Sequence, residues 1–275
     1  LLRSGCMKGD ITTLRKHGSI FEGHPVPHPG NWVTFATGSL GQGFSIAVGV
    51  ALAAKMQGRS FRTYVLCGDS EVAEGSVYEA AELAAHYKLN NLVAVIDVNR
   101  LGQRGETMLG HNIDGYKARF DAFGCNSIVV DGHNVQELLD ALAAARSSES
   151  PTVIIAKTFK GKGYSVAENK DGFHGKALSE EQMEEAFKEI GGGEMPEFSI
   201  KEPEKSSVKK VVHKKAGFTA YKADEEVATR HAYGKALAHL AKADKSIVAI
   251  DAEVSNSTFA QDVKEVAPKQ FVEAY

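Results

Sequence analysis

Two short stretches hold the residues best suited to chemistry. GDSEVAEG, residues 68–75, sets the carboxylates Asp69, Glu71 and Glu74 directly after an apolar run, and NRLGQ, residues 99–103, follows the apolar run LVAVID. A carboxylate at the end of a strand caps a helix, pairs with a base or binds a metal. Asp69 alone reads as readily as an N-cap as anything else. Asn99 shifts that balance, because it lies 30 residues after Asp69, with one strand, one helix and one strand between them. Such a βαβ unit brings neighbouring strand ends to about 5 Å from one another. One carboxylate, one amide oxygen and a loop carbonyl then converge as a hard-oxygen set suited to Mg²⁺ or Ca²⁺, leaving room for a diphosphate and a water. Glu71 and Glu74 read as helix-start charges, favourable at the positive end of the dipole.

Other stretches carry weaker signals. GSLGQG, residues 38–43, precedes the small-residue helical run FSIAVGVALAAK. Its glycines either offer N–H donors to an anion or let the helix pack closely on a sheet. His24 sits in GHPVP, where prolines limit the loop, and His174 sits in FHGK. His133 in VDGH is left open as a loop-ordering residue. His17, His28, His86, His111, His213, His231 and His239 read as surface or satisfied core. Lys160 and Lys162 read, from the sequence alone, as solvated charges. A generic nucleotide-binding protein lacks support, because GSLGQG follows no clear strand and no Gly-Lys-Ser/Thr loop occurs.

The elements that must position these residues alternate. Strands are expected over 61–67, 92–97, 127–130 and 152–157, and helices over 75–88, 135–146 and 179–190. Asn134 with Glu137 and Ser179 with Gln182 read as capping boxes. The continuous apolar run at 92–97 suits a strand buried on both faces. The fold class is therefore α/β, a doubly wound parallel sheet, with ligands beyond the carboxyl ends of the strands. Residues 1–190 form this domain. Residues 191–223, rich in Gly, Lys, Glu and Pro, read as a linker whose lysine run is a solvated connector. Residues 224–275 begin a second α/β unit, with a helix over 225–243 and a strand over 246–251, and end before a core is expected to close.

Composition narrows the classes. The 275 residues carry 32 basic and 35 acidic groups, a net charge of −3, which argues against a nucleic-acid surface. No apolar run approaches the roughly 20 residues of a membrane span. Cys6, Cys67 and Cys125 lack metal-type spacing and suggest a reduced compartment. The chain starts with Leu1 and shows no signal-peptide pattern, so a segment of something longer, cytoplasmic, is expected.

GDSEVAEGSVYEA…NNLVAVIDVNRLGQ resembles the Gly-Asp-Gly…Asn signature of thiamine-diphosphate enzymes. GHPVP, ATGSLGQG, VDGH, AKTFKGKG and FHGK resemble transketolase segments, in the same order. The resemblance to the transketolase family spans nearly the whole chain. It implies the thiamine-diphosphate-binding fold, with Asp69, Asn99 and the main-chain carbonyl of Leu101 on Mg²⁺ (or Ca²⁺, Mn²⁺), and that metal on thiamine diphosphate. It places Gly38, Ser39, Leu40, Ser70, Glu71, Lys160 and His174 by the cofactor. His24 and His174 are implied as catalytic, facing the cofactor's reactive carbon and the substrate oxygens. Arg230 and Ser257 are implied to grip a sugar phosphate. The implied reaction transfers a two-carbon ketol unit from a ketose phosphate, such as xylulose 5-phosphate, to an aldose phosphate, such as ribose 5-phosphate, in a homodimer. Ser70 departs from the pattern, since the family usually has Gly after the Asp. The family's Lys-Gly-His-Ala and Glu-Gln-Asn segments would flank this sequence, so the 275 residues alone are expected to be inactive.

Overall fold

Four apolar runs form one parallel sheet, in the order β1-β2-β4-β3: β1 (Thr63–Gly68), β2 (Leu92–Val98), β3 (Asn126–Asp131) and β4 (Thr152–Lys157). The structure is a computed structural model that describes all residues except 1, 3, 6, 30, 31, 192–199 and 201–213. Most of the expected linker, and with it His213, lies outside the described residues. The chain divides into two units, Leu1–Lys201 and Glu202–Tyr275.

In the first unit the strands alternate between two apolar layers, as a pleated backbone requires. Leu92, Ala94, Ile96 and Val98 of β2, with Val153 and Ile155 of β4, pack against α1 (Gln42–Met56), α2 (Gly75–His86) and α3 (Ile113–Ala122). Val93, Ile154, Ala156 and Val130 face the other way, onto Ala141 and Ala145 of α4 (Val135–Ala145). Helices thus cover both faces, and the sheet is doubly wound. Ile154 and Ile155 are wholly buried on opposite faces, each burial stabilising by about 1.5–3 kcal/mol. This central burial fixes where β2 and β4 end, and those ends carry the site.

Local signals set the helix starts. Ser179 and Gln182 form a reciprocal capping box at α5 (Glu180–Ile190). Asn134 caps α4 by accepting from Gln136 and Glu137 N–H, but Glu137 turns its carboxylate to Asp131 N–H instead of closing the box. α3 was not expected. Its sequence, IDGYKARFDA, contains a glycine and few apolar residues, yet Tyr116 and Phe120, four apart, are both buried.

The second unit holds α6 (Thr229–Ala243), β5 (Ala249–Asp251), α7 (Ser255–Thr258), α8 (Asp262–Val266) and β6 (Phe271–Glu273). The helix starts later than 225 and the strand later than 246. β5 pairs in parallel with β6, and Ala241, Ala249 and Val263 close a small core. A core was not expected this early; the chain turns through α7 and α8 and brings β6 back beside β5 before residue 275. Among the described residues no helix is long and apolar enough to cross a membrane.

Candidate cofactor site

The register pairs Gly68 with Asp97 and Asp97 with Ala156. Asp69, Asn99 and Thr158 therefore leave the sheet together, at the ends of three neighbouring strands. Asp69 N–H donates to the Asp97 carbonyl at 3.1 Å, joining the first two ends. The Asp69 side chain is only 4% exposed. Its Oδ1 accepts from Ser70 N–H at 2.7 Å and its Oδ2 from Arg100 N–H at 2.6 Å. Burial pushes this carboxyl above its ordinary range; the two N–H donors and Lys160 pull it back, and the charge of Asp97 adds to the rise. Asp69 does not cap α2: Glu74 occupies the N-cap position, with no side-chain capping bond.

Asn99 accepts from Leu101 N–H through Oδ1, at 3.1 Å, and donates through Nδ2 to Asp97 Oδ2, at 3.1 Å. Between them Arg100 has φ +66°, an uncommon conformation for a residue with a side chain. That conformation aims its N–H at Asp69. Its guanidinium grips Asn169, through Nε at 2.7 Å and the main-chain carbonyl at 3.0 Å. The loop of residues 99–106 is thus tied to the loop after Lys160.

Lys160 completes this side. Its ammonium donates to the carbonyls of Leu101 at 3.2 Å and Gly102 at 3.1 Å, and to His174 Nδ1 at 3.0 Å. An ammonium only donates, so Nδ1 is the acceptor and Nε2 carries the imidazole proton. Ser70 has φ −64°, which any residue adopts. Its hydroxyl lies toward Gly102, 3.4 Å from where a Cβ on that glycine would stand. Glycine is therefore not needed at this position for backbone conformation.

The other side is the loop before α1. Gly38 has φ +115°, and a Cβ there would come 2.1 Å from His24 Cδ2, so His24 lies directly on the loop. Leu40 and Gly38 line a cavity of about 490 Å³ with Phe35, Thr37 and Glu71. Glu71 joins the two sides: its carboxylate accepts from Gly41 N–H at 2.9 Å and Gly68 N–H at 3.2 Å. Glu71 does stand at a helix start, in the first turn of a short 3-10 helix, Glu71–Ala73, and its carboxylate also clamps the glycine loop to the end of β1.

The structure thus links Asp69, Ser70, Asn99, Leu101, Lys160 and His174 on one side, and His24 with Gly38 on the other, through Glu71. Ser39 lies in the glycine loop between Gly38 and Leu40 and is exposed. In the second unit, Arg230 and Ser257 line one cavity of about 580 Å³ with Tyr233 and Asp251.

Several site-building residues were missed. Asp97 and Thr158 are bonded side chain to side chain. His111, read as unremarkable, donates from Nε2 to the Thr158 carbonyl at 2.9 Å. His133, which the sequence left open as a loop-ordering residue and so did not miss, accepts from Phe159 N–H at 2.8 Å and stacks on the Phe159 ring. No spacing rule reveals these contacts, because each joins segments far apart in sequence.

Among the described residues no group of three His, Cys, Asp or Glu side chains is placed to hold a metal. The donor set in question is of another kind: one carboxylate, one amide and one carbonyl. It fits a cation on one count: among the described residues the buried Asp69 carboxylate makes no ion pair, its oxygens being met by the N–H groups of Ser70 and Arg100.

The family described as transketolase, thiamine diphosphate binding domain, matches residues 6–254. Human transketolase is 42% identical over 273 residues, 98% of this chain and 43% of that protein. Transketolase-like protein 2 of Bos taurus is 41% identical over 274 residues, 97% of this chain and 43% of that protein. The crystal structure of transketolase from Campylobacter jejuni has a TM-score of 0.79 at 28% identity, covering 96% of this chain and 48% of that one. A Pichia stipitis transketolase structure, at 22% identity and TM-score 0.76, shares the fold. The chain spans less than half the length of these relatives. Its match along most of its own length places it in the transketolase family, in the part that binds thiamine diphosphate.

Proposed function

We propose that this chain is the diphosphate-binding part of a transketolase. The longer protein would move a two-carbon ketol unit from a ketose phosphate, such as xylulose 5-phosphate, to an aldose phosphate, such as ribose 5-phosphate. In this reading residues 1–190 are the diphosphate-binding domain, 191–223 the linker, and 224–275 the beginning of the pyrimidine-binding domain of a homodimer.

Thiamine diphosphate supplies the carbanion chemistry, acting as the electron sink. The chain's residues bind and orient. Asp69, Asn99 and the Leu101 carbonyl hold a divalent cation, Mg²⁺ by preference, since it accepts few protein ligands beside phosphates. Lys160 and the N–H groups around Gly38, Ser39 and Leu40 meet the diphosphate, with Ser70 and Glu71 fixing the backbone there. His24 and His174 hold and move protons at the substrate oxygens. His174 is ready for this, because its Nδ1 accepts from Lys160 and so leaves the proton on Nε2. Arg230 and Ser257 grip the sugar phosphate, which a guanidinium's forked donors suit.

The observation that carries this reading is Lys160. One ammonium ties the predicted metal-ligand carbonyl to the predicted catalytic His174. The rival reading, a chain in which Ser70 has weakened cofactor binding, gains nothing from a Ser70 with ordinary φ and a side chain turned toward Gly102.

A two-carbon transfer assay with xylulose 5-phosphate and ribose 5-phosphate tests the proposal. The full-length protein, with thiamine diphosphate and Mg²⁺, is expected to turn over and the 275 residues alone are not. Turnover by the isolated chain, or none by the full-length protein, overturns the respective half.

A further inference from the structure

We propose that Asp97 and Thr158 are positioning residues that fix the amide of Asn99, so that its oxygen and not its nitrogen meets the divalent cation. The inference rests on the reading of Asn99 as a metal ligand.

An asparagine is a poor ligand unless its orientation is set, because a rotation of the amide exchanges an acceptor oxygen for a donor NH₂. Here both faces of the amide are determined. Nδ2 donates to Asp97 Oδ2 at 3.1 Å, and Oδ1 accepts from Leu101 N–H at 3.1 Å. An ionised carboxylate only accepts and a backbone N–H only donates. The reversed amide would set oxygen against oxygen on one side and donor against donor on the other. The observed orientation leaves Oδ1 a second lone pair for a cation.

Asp97 is in turn held. Its Oδ1 accepts from the Thr158 hydroxyl. Each carboxylate oxygen thus has its own donor, and Asp97 acts on Asn99 without being a ligand itself. Thr158 is the anchor, because its backbone is fixed at both polar groups. Its N–H donates to the Val98 carbonyl at 3.0 Å, and its carbonyl accepts from His111 Nε2 at 2.9 Å. The relay therefore runs from the loop after β4, through the end of β2, to Asn99. Partners of this outer kind orient metal ligands and are costly to remove.

Manganese binding tests the relay without turnover. Free Mn²⁺ is followed by electron paramagnetic resonance while the protein is titrated with excess thiamine diphosphate present. Thr158→Val keeps the side-chain shape and removes the hydroxyl; it is expected to weaken Mn²⁺ about tenfold, whereas Thr158→Ser stays within about twofold of the unaltered protein. Asp97→Leu keeps a side chain of similar size but removes the acceptor of Asn99 Nδ2, and is expected to lose at least about tenfold. Urea unfolding of each variant establishes that it is folded; should Thr158→Val unfold, Asp97→Leu carries the test. Unaltered Mn²⁺ affinity in the folded Thr158→Val or Asp97→Leu variant overturns the proposal. So does equal weakening by Val and Ser, which would mark a packing role. Failure of the unaltered protein to bind Mn²⁺ overturns the cofactor reading beneath it, a result distinct from both.

Discussion

The two predicted binding regions are built differently. Around Asp69, Asn99 and Lys160, each charged group is met by backbone or side-chain partners from loops far apart in sequence. Around Arg230 and Ser257, the cavity is lined from a single local stretch, α6 to α7, and α7 is only four residues long. The guanidinium of Arg230 lies over the Phe259 ring, 5.8 Å from its centroid. The contrast is between a region tied together across distant loops and one lined within a single stretch of chain.

The largest effect that could sharpen this contrast comes from removing one charge in each region. In the full-length protein Asp69→Asn is expected to weaken cofactor binding beyond the roughly 10–100-fold typical of outer partners. Arg230→Ala is expected to leave cofactor affinity unchanged and raise KM for the sugar phosphate by at least about tenfold, the equivalent of a charge-assisted hydrogen bond. Steady-state kinetics with varied cofactor and varied substrate separate the two. Equal effects of both variants on both constants would break the comparison.

A smaller effect tests the clamp. Glu71→Ala removes the acceptor for Gly41 and Gly68 N–H, and is expected to lower the stability of the first unit by about 2 kcal/mol. Urea unfolding followed through that unit measures it. A change below about 0.5 kcal/mol, the range of ordinary surface substitutions, would leave the glycine loop held by packing alone.

The smallest effect concerns the thiols. Burial, with the charge of Glu71, pushes Cys67 up to about 12, and burial with the charge of Asp121 does the same for Cys125. The thiolate is the reactive form, so at pH 8 both remain unlabelled by a thiol reagent in the folded protein. The sign for stability follows. In the unfolded chain these thiols ionise near pH 8.5, while folded they keep their protons to about 12. Their contribution is complete below about pH 8.5 and is lost as pH rises toward 12. Peptide mapping after labelling checks the first statement, and urea midpoints across that range check the second.

How much of this was legible in the sequence depends on the kind of contact. The central strands β2 and β4 were legible because a parallel strand buried on both faces leaves a continuous apolar run, as in LVAVID, and the half-exposed edge strands β1 and β3 because β-branched and apolar residues still cluster there. Asp69 and Asn99 were legible because one βαβ unit separates them. The relay was not: Asp97 and Thr158 stand 61 residues apart, and a bond between such residues leaves no period. Arg100 hid its role differently, since a positive φ on an arginine is set by the loop's tertiary ties to Asp69 and Asn169 and not by residue type. α3 was concealed by a polar sequence in which two aromatic residues, Tyr116 and Phe120, are the buried ones.

Calorimetric titration of thiamine diphosphate tests the central claim most directly, with the full-length protein in Mg²⁺, then in a chelator, then as Asp69→Asn in Mg²⁺. Saturable binding heat in the first case, with little or none in the other two, is the expected result. Undiminished heat in the chelator or in Asp69→Asn would mean that no cation between the ends of β1 and β2 holds the diphosphate.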